Sequence, residues 1–455
     1  NVEMPGGPQM LAMTQTERFK QGGSGAGWLV ADKVLAEVKA GNITEATINR
    51  NVSDILRVLF ESGLFDHPHI ATGEVDTPDQ RAVALRGATE GIVLLKNSSS
   101  LLPLDAAKIH SIAVIGPNAA VVRAGGGSSM VRPKSAVAPL DAIRTRAGGS
   151  VQVNYALGVG MEGEDTAHDT PEARAKDIAQ AVDAASHADV AIVVVGRYSR
   201  LESEGHDVAT MDLPAGQDEL IQAVEKANAR TIVVLNTGDP VTMTKWIDTT
   251  AALLDTWYGG EESGTALASV LFGDANPSGK LPVTLPKRYE DSPAAANYPG
   301  TNLVVNYAEG IYVGYRYYDS KNVEPQFPFG YGLSYTTFAY SNLKIKPGKV
   351  SGNQPVQVSF NVRNTGSRAG AEVVQLYVHD GHSKIDRPSH ELKGFSRVEL
   401  KPGETQTVQL TLDRAALSYW NPGSKGWQDD PGAFEVQIGA SSRDIRLRAP
   451  LTITK

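Results

Sequence analysis

Residues 189–196, DVAIVVVG, form an unbroken β-branched apolar run that ends in glycine. Val and Ile favour extended backbone. A run without polar alternation reads as a strand buried on both faces, so whatever fold contains it must place layers above and below. Behind it come 199–214, SRLESEGHDVATMDLP, and then 216–229, GQDELIQAVEKANA, where Leu220, Ile221, Val224 and Ala227 make a helical stripe. The acidic stretch is therefore the loop from a strand's carboxyl end to the next helix, the edge where open α/β sheets bind ligands. Glu202, Glu204 and Asp207 cluster there, with Arg197 and Arg200 the nearest cations in sequence. On its own the loop is open to two readings, a solvated acidic surface or a loop that presents a proton donor.

The surroundings repeat the strand-then-helix pattern. Strands are expected at 112–116, 190–196, 231–237 and 251–257, with helices such as 175–186 and 217–229 between them. That alternation predicts a doubly wound, largely parallel sheet. Two glycine-rich stretches lie in its loops. GGGSS at 125–129 has neither the GxGxxG spacing before a helix nor a GK[ST] ending, so it is not a dinucleotide or Walker A loop. Close approach to a small polar ligand and a merely flexible turn are both open for it. GGEESG at 259–264 precedes a helix at 265–272, whose N-terminus Glu261 and Glu262 would favour.

Upstream, residues 1–66 read as helical without a strand. An amphipathic segment at 28–40 is closed by Gly41. Thr44 is then placed as an N-cap, followed by Ile48, Val52, Ile55, Leu56, Leu59 and Phe60 at helical spacing. Such helices need a sheet to cover, and the expected partner lies upstream or on another chain. A polar connector, 67–78, leads to a helix expected over 80–96. Residues 287–340 are rich in aromatics and read as a packed inter-domain strap or as rings lining a sugar site. From about 339 the period changes to two, with short alternating runs at 356–363, 372–379, 397–400, 407–412 and 434–439. These predict a fibronectin type III-like β-sandwich.

The totals narrow the function. With 455 residues, two or three domains are expected. A net charge of −8 without a Lys/Arg cluster argues against a nucleic-acid or anionic-membrane partner. No apolar run approaches the ~18 residues of a membrane span. The chain has no cysteine, which excludes disulfides and thiolate chemistry, and its nine histidines are scattered without metal-ligand spacing. No metal and no cofactor are expected. The compartment stays open, with a periplasmic or extracellular location favoured over a cytoplasmic one, and a homo-oligomer is an open expectation.

Taken in order, the motifs resemble the C-terminal two-thirds of a glycoside hydrolase family 3 β-glucosidase. They run from EMPGG at 3–7 through ILRVLFESGLFD at 55–66, EGIVLLKN at 90–97 and IAVIGPNA at 112–119 to the GGGSS loop and ESEGHDVATMDLPAGQDELI. NPSGKLPVTLP, EGIYVGYRYYD, PFGYGLSYTTF and ELKGFSRVELKPGET follow. The resemblance implies an α/β multidomain chain. It comprises the end of a (β/α)8 barrel at 1–66, a linker at 67–90, an α/β sandwich at 91–286, an aromatic-rich connector at 287–338 and the fibronectin-like domain at 339–455. It further implies a retaining exo-acting β-glucosidase that removes terminal β-D-glucosyl residues from glucosides or oligosaccharides by double displacement. Cleavage by β-xylosidase or natural-product deglycosylation, and a non-catalytic carbohydrate-binding scaffold, are the alternatives.

In that family the acid/base is the Glu of an EG-x-D stretch, here Glu204, with Glu202 expected in polar support. Its carboxyl is expected to be raised by burial or a neighbouring charge, and pairing with Arg200 would oppose this. Ser128, Ser129, Glu202, His206, Asp207, Tyr198 and Trp257 are the candidate substrate-binding residues, and Tyr198, Trp257 and Tyr258 the candidate rings. Val208 stands where the family usually has Arg, which bears on how the loop is anchored. The nucleophilic Asp is expected upstream of EMPGG, on a barrel segment outside these 455 residues, so the chain alone is expected to be inactive.

Overall fold

The structure, a computed structural model, describes residues 31–67, 73–168 and 170–454. It divides into two units, Asn1–Val75 and Asp76–Lys455. In the first, α1 (Ala31–Lys39) and α2 (Glu45–Glu61) are the described helices. Thr44 caps α2 as its residue type predicts, its hydroxyl accepting the Thr47 N–H at 3.1 Å. None of the residues of α2 is buried, and Val58 and Phe60 are 64% and 65% exposed. Its apolar stripe is thus uncovered among the described residues. The EMPGG motif and Trp28 lie outside them.

The second unit begins with the α/β sheet. Strands β1 (Val93–Asn97), β2 (Ser111–Ile115), β3 (Gln152–Ala156), β4 (Val190–Gly196), β5 (Thr231–Asn236) and β6 (Ala252–Asp255) lie in the order β1-β6-β5-β4-β2-β3. All neighbours pair parallel except β1, which runs antiparallel to β6. Alternate residues of each strand face opposite sides. Val114, Ile192, Val194, Val234 and Leu254 meet α4 (Pro139–Ala147) and α7 (Ser263–Leu271) on one side. Ile115, Val193, Val195, Val233 and Leu253 meet α5 (Pro171–Ser186) and α6 (Gln217–Ala227) on the other. Every residue of β4 is buried, as a run without alternation requires.

Three differences from the sequence expectation have local causes. The helix expected over 80–96 is α3 (Pro78–Gly91); it starts in a capping box of Thr77 and Gln80 and stops at Gly91, and the apolar run behind it is β1. The stretch 67–90 is therefore not simply a linker, because Leu85 and Ala88 of α3 pack on the sheet's core. Strand β3, QVNYA, has no sequence signature because it is a half-exposed edge strand without an apolar run.

The β-sandwich is built from β7 (Phe338–Lys346), β8 (Lys349–Val350), β9 (Val356–Asn364), β10 (Gly370–Asp380), β11 (Glu391–Leu400), β12 (Thr405–Leu412), β15 (Gly432–Gly439) and β16 (Ile445–Ile453). One sheet runs β11-β10-β15-β16-β8, the other β12-β9-β7, and β13 (Tyr419–Asn421) with β14 (Gly426–Gln428) forms a separate hairpin. Phe360, Val374, Leu376, Val436 and Ile438 close the core between the sheets. The aromatic connector works as a strap. Phe327 enters the α/β core, and Tyr315 of the short helix α8 (Tyr315–Ser320) stacks on Phe329 at 4.8 Å beside Tyr377 of β10.

Strand order turns around between β2 and β4. The chain goes from β2 outward to β3, then crosses back to β4 and continues toward β5 and β6. The loops after β2 and β4 thus leave the carboxyl edge at the switch point, where such sheets bind ligands. Gly196 makes the exit possible: its φ is +147°, and a Cβ there would lie 2.1 Å from the Asn236 carbonyl. Gly196→Ala should lower stability by on the order of 3 kcal/mol. Urea denaturation of the full chain checks this, and an unchanged midpoint would mean that β4 and β5 adjust freely.

Candidate active site

The loop after β4 is organised from inside by a buried ion pair. Arg197, the residue after β4, is 2% exposed, and its Nη1 donates to Glu202 Oε1 at 3.0 Å. Its Nη2 donates to the carbonyls of Thr210 and Asp212 at 2.8 and 2.9 Å. One guanidinium therefore holds the start and the end of the acidic loop. Glu202, 6% exposed, is saturated: Tyr258 Oη donates to Oε2 at 2.5 Å, Gly238 N–H to Oε2 at 2.7 Å and Asp239 N–H to Oε1 at 3.2 Å. Burial, with Glu202 adding to it, raises the Tyr258 phenol and the Asp239 carboxyl. Burial likewise pushes Asp255, at the end of β6, up to about 7. Glu202 thus supports the loop from within and presents no free oxygen to a ligand.

Glu204 is placed differently. It is exposed, and its Oε2 accepts two hydrogen bonds from Ser128, one from the backbone N–H at 3.0 Å and a short one from the hydroxyl. Those bonds, the hydroxyl's first, hold its carboxyl below the usual range. The sequence led us to expect a raised carboxyl; exposure removes the desolvation that would raise it, and Ser128 favours the ionised form. Arg200 does not pair with Glu204 and donates instead to the Gly163 carbonyl at 3.2 Å.

The GGGSS loop owes its glycines to this contact. Gly126 N–H donates to Glu202 O at 2.8 Å, and Gly126 bridges Ser203 in parallel register. A Cβ on Gly126 would lie 2.2 Å from Ser199 O, and one on Gly127, whose φ is +66°, 2.4 Å from Glu204 Cβ. Only glycine fits where the β2 and β4 loops touch. Ser129, also exposed, closes the loop on itself, its hydroxyl donating to Gly126 O at 2.8 Å.

The remaining candidates separate by exposure. His206 and Asp207 stay at the surface beside Glu204. Asp207 Oδ2 accepts from Tyr298 Oη at 2.6 Å, and this contact raises the phenol. Tyr298 lies in the strap, ninety-one positions away, and no local pattern marks it among the other aromatics there. Tyr198 is 5% exposed under the Arg123 guanidinium, with its hydroxyl on Glu162 O at 3.1 Å. Trp257 Nε1 donates to Gly91 O at 3.1 Å and the ring packs on the core. Tyr198 is thus a buried support, whereas Trp257 stays half-buried at the end of β6. Among the described residues no cluster of His, Asp and Glu could hold a metal ion.

Comparison with known proteins gives this arrangement a context. Residues 92–335, which contain both touching loops, match the glycosyl hydrolase family 3 C-terminal domain, and 372–442 match a fibronectin type III-like domain. The chain belongs to glycosyl hydrolase family 3. A thermostable beta-glucosidase B of Acetivibrio thermocellus is 41% identical over 426 residues, 93% of this chain and 55% of that protein. An exo-alpha-(1->6)-L-arabinopyranosidase of Bifidobacterium breve is 36% identical over 91% of this chain and 54% of its own length. The crystal structure of a Bifidobacterium adolescentis GH3 beta-glucosidase superposes with a TM-score of 0.82 at 36% identity, covering 93% of this chain and 60% of that one. The chain thus spans about half the length of the curated family 3 relatives it matches.

Ser128→Ala removes the hydroxyl bond and leaves the backbone one. The Glu204 carboxyl should then titrate at a higher pH, nearer its ordinary value, which carboxyl-carbon NMR of the labelled chain reads directly. An unmoved titration would mean that the hydroxyl does not set it.

Proposed function

We propose that this chain carries the acid/base half of a retaining, exo-acting β-glucosidase, with Glu204 as the proton donor. The observation that carries the reading is the contrast between the two glutamates of one loop. Glu202 is buried and saturated, whereas Glu204 stands exposed at the switch point with Oε2 held by Ser128. Its Oε1 is then the oxygen that carries the proton toward a departing glycosidic oxygen. The nucleophile in this reading is an Asp on a barrel segment outside the 455 residues. The family resemblance and the half-length match to curated relatives support it.

Retention places the two carboxyls about 5–5.5 Å apart. Their mutual repulsion, with water excluded by substrate, opposes the downward pull of Ser128 and keeps Glu204 protonated for the first step. Formation of the glycosyl ester removes the nucleophile's charge. Glu204 then falls back toward the low value that Ser128 favours, the form that takes a proton from the attacking water. Ser128 is therefore assigned to tuning and aiming Glu204, and Asp207, fixed by Tyr298, to holding the loop. No cofactor enters either step. The sugar is glucose in this reading; the arabinopyranosidase among the relatives makes aryl arabinopyranoside and xyloside the informative comparison substrates.

In the enzyme completed with its upstream segment, Glu204→Gln should cut kcat/KM for alkyl glucosides by on the order of 10²–10⁴. Nitrophenyl glucoside, whose leaving group needs no proton, should lose much less in its first step, and azide should restore turnover by forming a β-glucosyl azide. Equal loss for both leaving groups would remove Glu204 from the acid role. Hydrolysis of nitrophenyl glucoside by the 455-residue chain alone would refute the external nucleophile.

A further inference from the structure

Four tryptophans lie among the described residues, and they fall into two pairs. Trp246 is 2% exposed with its indole N–H on Asp218 Oδ1 at 2.9 Å, and Trp257 packs on the core with its N–H on Gly91 O. Both follow the rule that an enclosed indole finds a partner for its N–H. Trp420 and Trp427 do the opposite. They are 51% and 71% exposed, and neither N–H has a partner among the described residues. They stand directly opposite each other on β13 and β14, ring centroids 5.9 Å apart and planes at 80°.

A cross-strand aromatic pair does steady a hairpin. That role uses one face of one ring and an edge of the other, and leaves the remaining faces in water. The hairpin has other anchors. Tyr419 is buried, with its hydroxyl on Asp430 Oδ2 at 3.1 Å and the Arg387 guanidinium 5.9 Å from its ring centre. Asn421 Nδ2 donates diagonally to Gln428 Oε1 at 2.6 Å; the two flank the tryptophan rung and so lie on the hairpin's other face. The base is thus fixed while the two indoles project outward. Two large apolar faces set at nearly a right angle, with free N–H donors, form a corner for a ring that is apolar on its faces and hydroxylated at its rim. A pyranose has that form. A β-linked glucan presents such faces along an extended chain, whereas an α-linked one coils.

We propose that the Trp420–Trp427 corner is a second carbohydrate site, one that holds a β-linked glucan chain on the fibronectin-like domain, apart from the loop that carries Glu204. It rests on membership of a glycoside hydrolase family and not on the role given to Glu204. Its test reads binding without turnover, so its failure and the failure of the catalytic reading are separable.

The full 455-residue chain is run in native gels containing hydroxyethylcellulose or dextran, and cellohexaose binding is followed by tryptophan fluorescence. Retardation by hydroxyethylcellulose and not by dextran is expected. Trp427→Ala and Trp420→Ala should each weaken cellohexaose binding about tenfold. Trp427→Phe should retain part of it, since the smaller ring still stacks, and an unchanged melting temperature in that variant ties the loss in the Ala variants to the ring and not to unfolding. Absence of selective retardation, or binding that persists in the double Ala variant, overturns the proposal. So does concentration-dependent self-association that the Ala variants abolish, which would make a second copy the occupant.

Discussion

The Arg197–Glu202 pair is the interaction on which the site depends. A guanidinium and a carboxylate, both excluded from water, cost free energy to bury, and losing one partner of such a pair typically costs about 3–5 kcal/mol. The cost is offset here because every oxygen and two guanidinium nitrogens are engaged: Tyr258, Gly238 and Asp239 on one side, Thr210 and Asp212 on the other. The partners come from the loops after β4, β5 and β6. One pair therefore ties together the carboxyl edges of three parallel strands. It makes a sixteen-residue excursion with four acidic residues behave as a fixed surface, which hydrogen bonds from solvent would not do.

The same pair explains how much of the site was legible beforehand. The doubly wound sheet could be read from 189–196 because a strand buried on both faces leaves no polar positions. The β-sandwich could be read because strands buried on one face alternate. The contrast between Glu202 and Glu204 came from the family resemblance and not from their residue types, since both sit in a polar loop and differ in which way the backbone turns. Likewise Ser128 was placed at the site but not on Glu204, because the contact depends on two loops that meet only after the sheet has formed. Tyr298 left no trace at all: its partner Asp207 is brought to it by the strap's path, not by any local pattern. The ring of Tyr198 misled for the opposite reason. Strand ends face the switch point, yet a large side chain there first fills the space beneath the loops.

Uneven coverage of apolar surface separates the parts of the chain. The two faces of the α/β sheet and the sandwich core are closed. Helix α2 is the contrary case, regular and well capped yet without a buried residue. Caps and helical spacing therefore specify that helix locally, while the burial that usually stabilises a helix of this kind is not supplied by the described part of its unit.

Ser128 and Glu204 meet because Gly126 and Gly127 let two backbones touch where side chains would collide. Neither loop is shaped on its own. Each is the mould for the other, and the carboxylate's orientation belongs to the seam between them. The two segments are consequently a single heritable piece: an exchange between relatives that carries one without the other would deliver every residue of the loop intact and still lose its aim.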